Sequence, residues 1–399
     1  MTVAVLYGGK SGEHEVSLVS ATSVVRAVNR TVHKIVLIGI AKNGVWYVQD
    51  ESELERVLDD DKAVLSINCK VENTVYVVPG GGAHAAAGTD VYVGGAGSAG
   101  AAGACSASGA AGALKRGDGS AIDADIVFPV LHGTYGEDGL VQGLLEMAEL
   151  PYCGNGAESS ALAMDKEKTK TVWQAKNLPI VPFVCICSGE YADKSALKEK
   201  LDGAERRFAY PMFVKPCSAG SSVGASKARN RAELENAVAQ AFVWDEKILI
   251  ETCIDAREIE CSVTGDSVNV QSIRSYTLGE IAPSHDFYDY EAKYTDPAGA
   301  CLLIPAPLEK EQSQKIKQLA EKAYAVLDCS GLARVDFFVD KKTGDLYLNE
   351  INTMPGFTAI SMFPKMCAHA GLKYSDLIEL LLQQGLERFK RRRSLKTSR

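Results

Sequence analysis

The densest chemistry in the chain lies between residues 334 and 352, RVDFFVDKKTGDLYLNEIN. Two apolar runs flank a DKKTG turn, so the segment predicts a β-hairpin. Side chains alternate along a strand, which sets Arg334 and Asp336 on one face and Glu350 and Asn352 on one face. With the turn centred near Thr343, Asp336 and Glu350 stand directly opposite each other. Facing Cβ atoms are about 4.5–5.5 Å apart, where two carboxylates repel. A hard cation between them, completed by the Asn352 carboxamide, phosphate and water, would turn that repulsion into binding. Two acids on a solvated edge would read the same way, and a one-residue slip would separate the pair. The turn that follows, NTMPG at 352–356, can aim backbone N–H groups at developing negative charge or serve only as a loop.

A second constellation is KPCSAGSSVG at 215–224. An apolar strand delivers Lys215 into a loop of small residues with two glycines. Such residues let backbone N–H groups approach phosphate oxygens while the ammonium neutralises charge; a surface hairpin turn has the same composition. Lys166 sits in MDK at a helix start, where taken alone it reads as a solvated lysine. Glu251 ends an apolar strand and Glu258 follows seven residues on. These carboxylates could accept from an adenine amino group or ribose hydroxyls, or be plain surface acids. Two commoner signatures fail. Residues 8–11, GGKS, hold half of a P-loop, but Ala4 stands where its first glycine is required. A G-x-G-x-x-G match at 95–100 falls in a tract so rich in glycine that it carries no weight.

These side chains need an alternating framework to hold them. Strands over 3–7, 34–40 and 125–131, with a helix over 15–29, predict a parallel sheet covered by helices. The Ala/Gly/Ser tract at 79–116 has too little apolar surface to order itself and reads as a flexible insertion. From about Asn155 the pattern changes to a helix over 165–177, a strand over 180–186 and a helix-rich stretch. Strands over 212–215 and 247–251 then enclose a helix over 231–243. Strands over 258–264, 268–274, 334–339 and 345–351 follow, with helices over 308–327 and 372–388. The closing KRRRSLKTSR reads as a solvated, disordered end.

Composition narrows the class. Lys plus Arg is 43 against 51 Asp plus Glu, a net charge of -8, which excludes a globally basic nucleic-acid binder. No segment has the apolar length of a membrane span, and MTVAVLYGGK reads as a first strand, not a leader. Eleven cysteines without a C-x-x-C argue against a disulfide framework and for a reducing compartment, the cytoplasm.

Seven segments, taken in order, resemble the D-alanine–D-alanine ligases of the ATP-grasp superfamily. They are GGKSGEHEVSL at 8–18, LHGTYGEDG at 131–139, MDK at 164–166, KPCSAGSSVG at 215–224, FYDYEAKY at 287–294, RVDFF at 334–338 and NEINTMPGFT at 349–358. The resemblance spans nearly the whole chain, the insertion and tail excepted. It implies an α/β fold: a Rossmann-like parallel-sheet domain at 1–154, then an α+β ATP-grasp module. That module divides into a central subdomain at 155–251 and a C-terminal subdomain at 252–388 with the metal site, before a basic disordered tail at 389–399.

The activity so implied is ATP-dependent joining of two D-alanines through a D-alanyl phosphate, for peptidoglycan precursors, by a cytoplasmic homodimer that uses two Mg²⁺ or Mn²⁺ ions. By motif position, Glu13 would bind the ammonium of the first D-alanine and His132 would neighbour the same substrate. Lys166 and Lys215, with Ser221 and Ser222 in the loop, would hold the phosphates. Glu251 would lie near adenine, Glu258 on ribose and Lys293 at the γ-phosphate. Asp336, Glu350 and Asn352 would ligate the ions, Arg334 and the Gly356 N–H would form the oxyanion site, and Ser361 would take the second substrate's carboxylate. Glu13, Ser221 and Tyr294 match a hydrogen-bonded set that ties a closing loop over the site and excludes water.

Two positions depart from the family pattern: Cys253, where some relatives carry an aromatic beside adenine, and Cys217 inside the phosphate loop. Ligation of D-alanine to D-serine or D-lactate is the neighbouring reading. Tyr294 argues against the lactate type, whereas one hydroxyl discriminates serine only weakly. A non-catalytic ATP-binding regulatory module is the reading from another class, and the intact set Lys215, Arg334, Asp336, Glu350 and Asn352 speaks against it.

Overall fold

A computed structural model of the 399-residue chain describes residues 1–81, 112–220, 222–283 and 300–396. Ser221, Lys293, Tyr294 and residues 82–111 of the expected insertion lie outside the described residues.

The first sheet forms where apolar runs recur. Strands β1 (Thr2–Gly8) and β2 (Lys34–Ile40) are parallel, joined by the helix His14–Ala27, and β3 (Trp46–Val48) adds to the β2 edge antiparallel. The short strands β4 (Val75–Val77) and β5 (Leu114–Arg116) pair with each other before β6 (Ile126–Val130) returns parallel to β1. The sheet order is β3-β2-β1-β6. Val3, Ala4, Val5, Leu6 and Tyr7 are all fully buried, as a central parallel strand covered on both faces requires.

The β4–β5 pair corrects the expected insertion at its edges. Ala113 and Leu114 are buried, and Leu114 faces Val77, so 112–116 belongs to the folded unit. The single apolar Leu114 among small residues was too weak a pattern to mark a strand.

The second sheet holds β7 (Phe183–Cys187), β8 (Met212–Pro216), β9 (Ser226–Ala228) and β10 (Lys247–Thr252) in the order β7-β10-β8-β9, all antiparallel. Helices Lys194–Arg207 and Arg231–Ala241 close its outer face through Leu201, Leu234 and Val238.

The third sheet is antiparallel throughout: β11 (Ala256–Asp266), β12 (Asn269–Pro283), β13 (Ala300–Leu303), β14 (Ser330–Asp340) and β15 (Leu346–Asn352), ordered β13-β12-β11-β14-β15. The helix Lys310–Ala325 packs on it through Ile316, Ala320 and Tyr324.

The C-terminal helix, Tyr374–Arg393, buries Leu377, Ile378, Leu381 and Leu382 in the same core as Val3, Val5 and Phe128 of the first sheet. Arg388 lies over the Tyr152 ring and donates to the Gly154 carbonyl, to Ser330 Oγ at 2.8 Å and to the Tyr152 carbonyl at 3.1 Å. The first sheet, the start of β14 and the final helix therefore meet at one guanidinium. The helix also corrects the expected disordered tail: residues 389–393 are helical. Arg391, Arg392 and Arg393 pair with Asp266, Glu146 and Glu149. A run of basic residues at a helix C-terminus is favoured by the helix dipole, which the composition-based reading left out. Among the described residues, no helix is long and apolar enough to cross a membrane.

Candidate active site

The three sheets face a cleft of about 2010 Å³. Its wall on the third sheet includes the β14–β15 hairpin. Asp336 pairs with Glu350 and Arg334 with Asn352, as the spacing predicts, but the ladder is not regular. Phe337 pairs with Leu348, so Asn349 is an extra, bulged residue. A regular ladder continued from that pair would set Asn349 opposite Asp336. The bulge gives that place to Glu350 and turns both Asn349 and Glu350 off the core, while Leu348 and Ile351 stay buried.

Asp336 is heavily bonded. Arg334 donates to both its oxygens, Nε to Oδ1 and Nη2 to Oδ2, each at 2.7 Å, and Asn352 Nδ2 donates to Oδ2 at 2.9 Å. Arg334 Nε also lies 3.2 Å from Glu260. Among the described residues, no three His, Cys, Asp or Glu side chains converge as a metal cluster. The hairpin offers instead two opposed carboxylates and a carboxamide, an all-oxygen set that suits a hard divalent cation taking its remaining ligands from phosphate and water.

The cations come from the second sheet and from the helix Lys166–Ala175. Lys215, on β8, donates to Asn349 Oδ1 at 3.0 Å and lies 2.9 Å from Glu251 on the neighbouring β10. Lys166 opens the helix Lys166–Ala175, whose first turn Asp165 caps by accepting from the N–H groups of Glu167 and Lys168. That cap fixes Lys166, whose N–H donates to the Cys217 carbonyl. Its ammonium donates to the Ala219 carbonyl at 2.8 Å and lies 3.5 Å from Glu350. Ser222, in the same loop, adopts a left-handed backbone, φ 60°.

Glu251 does not face outward. It is 2% exposed, between Lys215 and a second lysine, Lys170, at 2.9 Å. Burial opposes its charge, but the two ammonium groups hold its carboxyl below the usual range. Lys170 is pushed down to about 8 by its burial, against the pull of Glu251. Glu258 and Cys253 line the cleft beyond Glu251.

The first sheet contributes from the carboxyl ends of β1 and β6, where open α/β sheets build sites. The His132 ring is buried; Nδ1 faces the Met354 carbonyl at 2.9 Å and Nε2 the Ser20 hydroxyl at 2.9 Å. A carbonyl only accepts, so Nδ1 carries the hydrogen and donates, leaving Nε2 to accept from Ser20. Burial lowers the ring's pKa against the nearby Glu13. The Glu13 carboxylate lies against Gly133 and Gly220. A Cβ on Gly133 (φ 72°) would come within 2.8 Å of it, and one on Gly220 within 3.3 Å. Glu13 thereby meets the loop that follows β8 at Gly220.

On the third side, Ser361 Oγ accepts from the Thr358 N–H at 3.1 Å and lies beside Gly356. Glu13, His132, Lys166, Lys215, Ser222, Glu251, Glu258, Arg334, Asp336, Glu350, Asn352, Gly356 and Ser361 all line the one cleft. Ser221, Lys293 and Tyr294, outside the described residues, are not located.

Three contributors escaped the sequence reading. Lys170 is one helical turn past Lys166 and on the same helix face, a spacing that does not by itself separate a buried lysine from a solvated one. Asn349 acts through a bulge, which no residue pattern announced. Glu137, in YGED, accepts from the Gly133 N–H at 2.8 Å and the Met354 N–H at 2.9 Å, stapling the His132 loop to the NTMPG turn. Its burial, and then the charge of Glu13, push its carboxyl up to about 8 despite these two donors.

A cleft that sets two lysines against an all-oxygen hairpin, beneath a parallel-sheet domain, has the architecture of an ATP-grasp enzyme. The chain belongs to the D-alanine–D-alanine ligase family: the family model described as "D-ala D-ala ligase N-terminus" matches residues 2–155 and "D-ala D-ala ligase C-terminus" matches 172–383. It is 50% identical to a D-alanine–D-alanine ligase of Treponema denticola over 399 residues, all of both chains, an alignment that runs through 79–116 as well. It is 45% identical to one of Treponema pallidum, over 99% of this chain and 90% of that one. Among solved structures it resembles the D-alanine–D-alanine ligase from Coxiella burnetii (TM-score 0.74, 30% identity, 99% of this chain and 97% of that one). It also resembles the VanG D-Ala:D-Ser ligase from Enterococcus faecalis (TM-score 0.75, 30% identity, 96% and 99%).

Proposed function

We propose that this cleft joins two D-alanine molecules to D-alanyl-D-alanine at the expense of ATP, for peptidoglycan precursor synthesis. The observation that carries the reading is the meeting of the Asp336–Glu350 cross-strand pair with Lys215, which bonds Asn349 one residue before Glu350.

In this reading Lys166, Lys215, Ser221 and Ser222 orient the polyphosphate, Glu251 lies near the adenine, Glu258 faces the ribose, and Lys293 reaches the γ-phosphate. Glu13 takes the first D-alanine's ammonium, beside His132. A carboxylate oxygen of that substrate forms a bond to the γ-phosphorus, and ADP leaves with the electrons of the broken P–O bond. The neutral amine of the second D-alanine, its carboxylate held by Ser361, then attacks the acyl carbon. Arg334 and the Gly356 N–H stabilise the oxyanion, and the tetrahedral adduct collapses as phosphate leaves with the electrons of the broken C–O bond and takes up the proton lost by the attacking nitrogen. Asp336, Glu350 and Asn352 would hold two Mg²⁺ or Mn²⁺ ions, which when bound supply charge neutralisation during phosphoryl transfer. Glu13, Ser221 and Tyr294 would latch a loop over the acyl phosphate and keep water from it.

We assign the domains as 1–154, 155–251 and 252–393, the last carried to the end of the final helix. The cytoplasm suits both an ATP-dependent reaction and the ten described cysteines, all of them free. A homodimer is the expected assembly.

A D-serine acceptor is the second reading, supported by the likeness to the VanG D-Ala:D-Ser ligase at the same 30% identity as the Coxiella enzyme. Incubation with ATP, Mg²⁺ and D-alanine, alone or with D-serine or D-lactate, followed by mass analysis, separates them. D-alanyl-D-alanine is expected to predominate. Predominant D-alanyl-D-serine or D-alanyl-D-lactate would overturn the assignment, and ATP binding without D-alanine-dependent phosphate release would favour a regulatory module.

A further inference from the structure

Lys170 is fully buried, and the mechanism above gives it no task. Its side chain is 0% exposed, and its ammonium lies 2.9 Å from Glu251 Oε1. Lys215 takes the other oxygen, Oε2, also at 2.9 Å. The two lysines differ in what else they can reach. Lys215 lines the cleft and already donates to Asn349, whereas Lys170 lies behind Glu251, out of the cleft wall. Lys170 is set there by the helix Lys166–Ala175, one turn beyond Lys166.

We propose that Lys170 is a positioning residue for nucleotide binding: it is the standing counter-ion of Glu251, so that Lys215 can leave Glu251 for the polyphosphate without stranding a buried carboxylate. The physical argument is one of charge. Glu251 with two lysines is a site of net charge +1, ready to accept an anion. With one lysine it is neutral, and drawing that lysine toward phosphate would leave an uncompensated charge in a nearly dry environment, which is strongly unfavourable. Lys170 touches neither substrate nor reacting atoms and acts through Glu251 alone. The inference rests on the ATP-dependent reading of the cleft and deepens it.

The test uses the full-length protein with Lys170→Met, Lys170→Arg, Glu251→Gln and the Lys170→Met/Glu251→Gln double variant. Kinetics give kcat and KM for ATP and D-alanine, and calorimetry gives ADP affinity without any reaction. Lys170→Met is expected to raise KM for ATP and weaken ADP binding by about tenfold or more, the order expected for an uncompensated buried charge. KM for D-alanine and kcat at saturating ATP should change far less. Lys170→Arg should restore most of the loss, and Lys170→Met should add little once Glu251 is neutral. Should Lys170→Met alone fail to fold, the double variant against Glu251→Gln still reads the coupling. Unchanged ADP affinity in folded Lys170→Met, or the same loss in the Glu251→Gln background, would overturn the proposal. Wild-type protein that binds ADP but makes no dipeptide would instead sink the ligase reading and leave the Lys170 result standing on calorimetry.

Discussion

Asp336 and Glu350 face each other across the β14–β15 ladder because Asn349 is bulged out of it. The two carboxylates are held by the pairing of the strands, and each is tied to a cation of the protein: Asp336 to Arg334, Glu350 to Lys166. Arg334 thus spans the proposed metal ligand and the proposed oxyanion site.

Glu350→Gln removes one charge from the pair while keeping shape and strand pairing. Turnover should fall by about a hundredfold or more, as removal of a charge-stabilising group in phosphoryl transfer does. The thermal midpoint should stay close to that of the wild type. Steady-state kinetics beside a melting curve checks this, and near-normal turnover would detach the hairpin from the chemistry.

Glu137 predicts a pH effect on stability. Its folded pKa, about 8, lies above the ordinary carboxylate range, so the folded state holds a proton that the unfolded chain has released. The stabilisation is present below the unfolded pKa, near 4.5, and is lost as pH rises through 8. Urea midpoints should decline across that window in the wild type. Glu137→Gln should flatten the decline and, because its amide opposes one of the two N–H donors, lower activity by loosening the His132 loop from the NTMPG turn.

Arg388→Met should weaken the fold without touching the chemistry. It removes three buried hydrogen bonds and a ring contact. A loss of about 3 kcal/mol is expected from hydrogen bonds to a charged group. Denaturant unfolding measures it, with KM for both substrates expected near the wild-type values.

Trp244 offers an optical report on the phosphate loop. It is 60% exposed yet lies against Gly224, where an added Cβ would come within 2.6 Å of the indole. Trp173 is fully buried. ATP titration should change the tryptophan emission, and Trp244→Phe should abolish most of the change. A full response in that variant would place the reporting indole elsewhere.

Much of this was readable from the chain because strand periodicity carries the facing of side chains. The Asp336–Glu350 pairing followed from counting back from the turn, though for an incomplete reason. The register next to the turn, Val339 with Leu346, is half a residue tighter than assumed, and the bulge restores the count. Strand β14 begins at Ser330, earlier than its apolar run, because Gly331 permits contact with Gly154, where a Cβ would meet the Gly154 Cα at 2.7 Å. That need comes from another part of the fold. Lys170 and Glu137 were hidden for a related reason: their partners are 81 residues (170 to 251) and 217 residues away. No local pattern tells a buried lysine from a solvated one.

The most direct test of the central claim follows oxygen. D-alanine labelled with ¹⁸O in its carboxylate is incubated with the enzyme, ATP and Mg²⁺, and the released phosphate is analysed by mass. Formation of an acyl phosphate predicts one ¹⁸O carried into phosphate for each peptide bond made. Dipeptide formed with unlabelled phosphate would contradict the account.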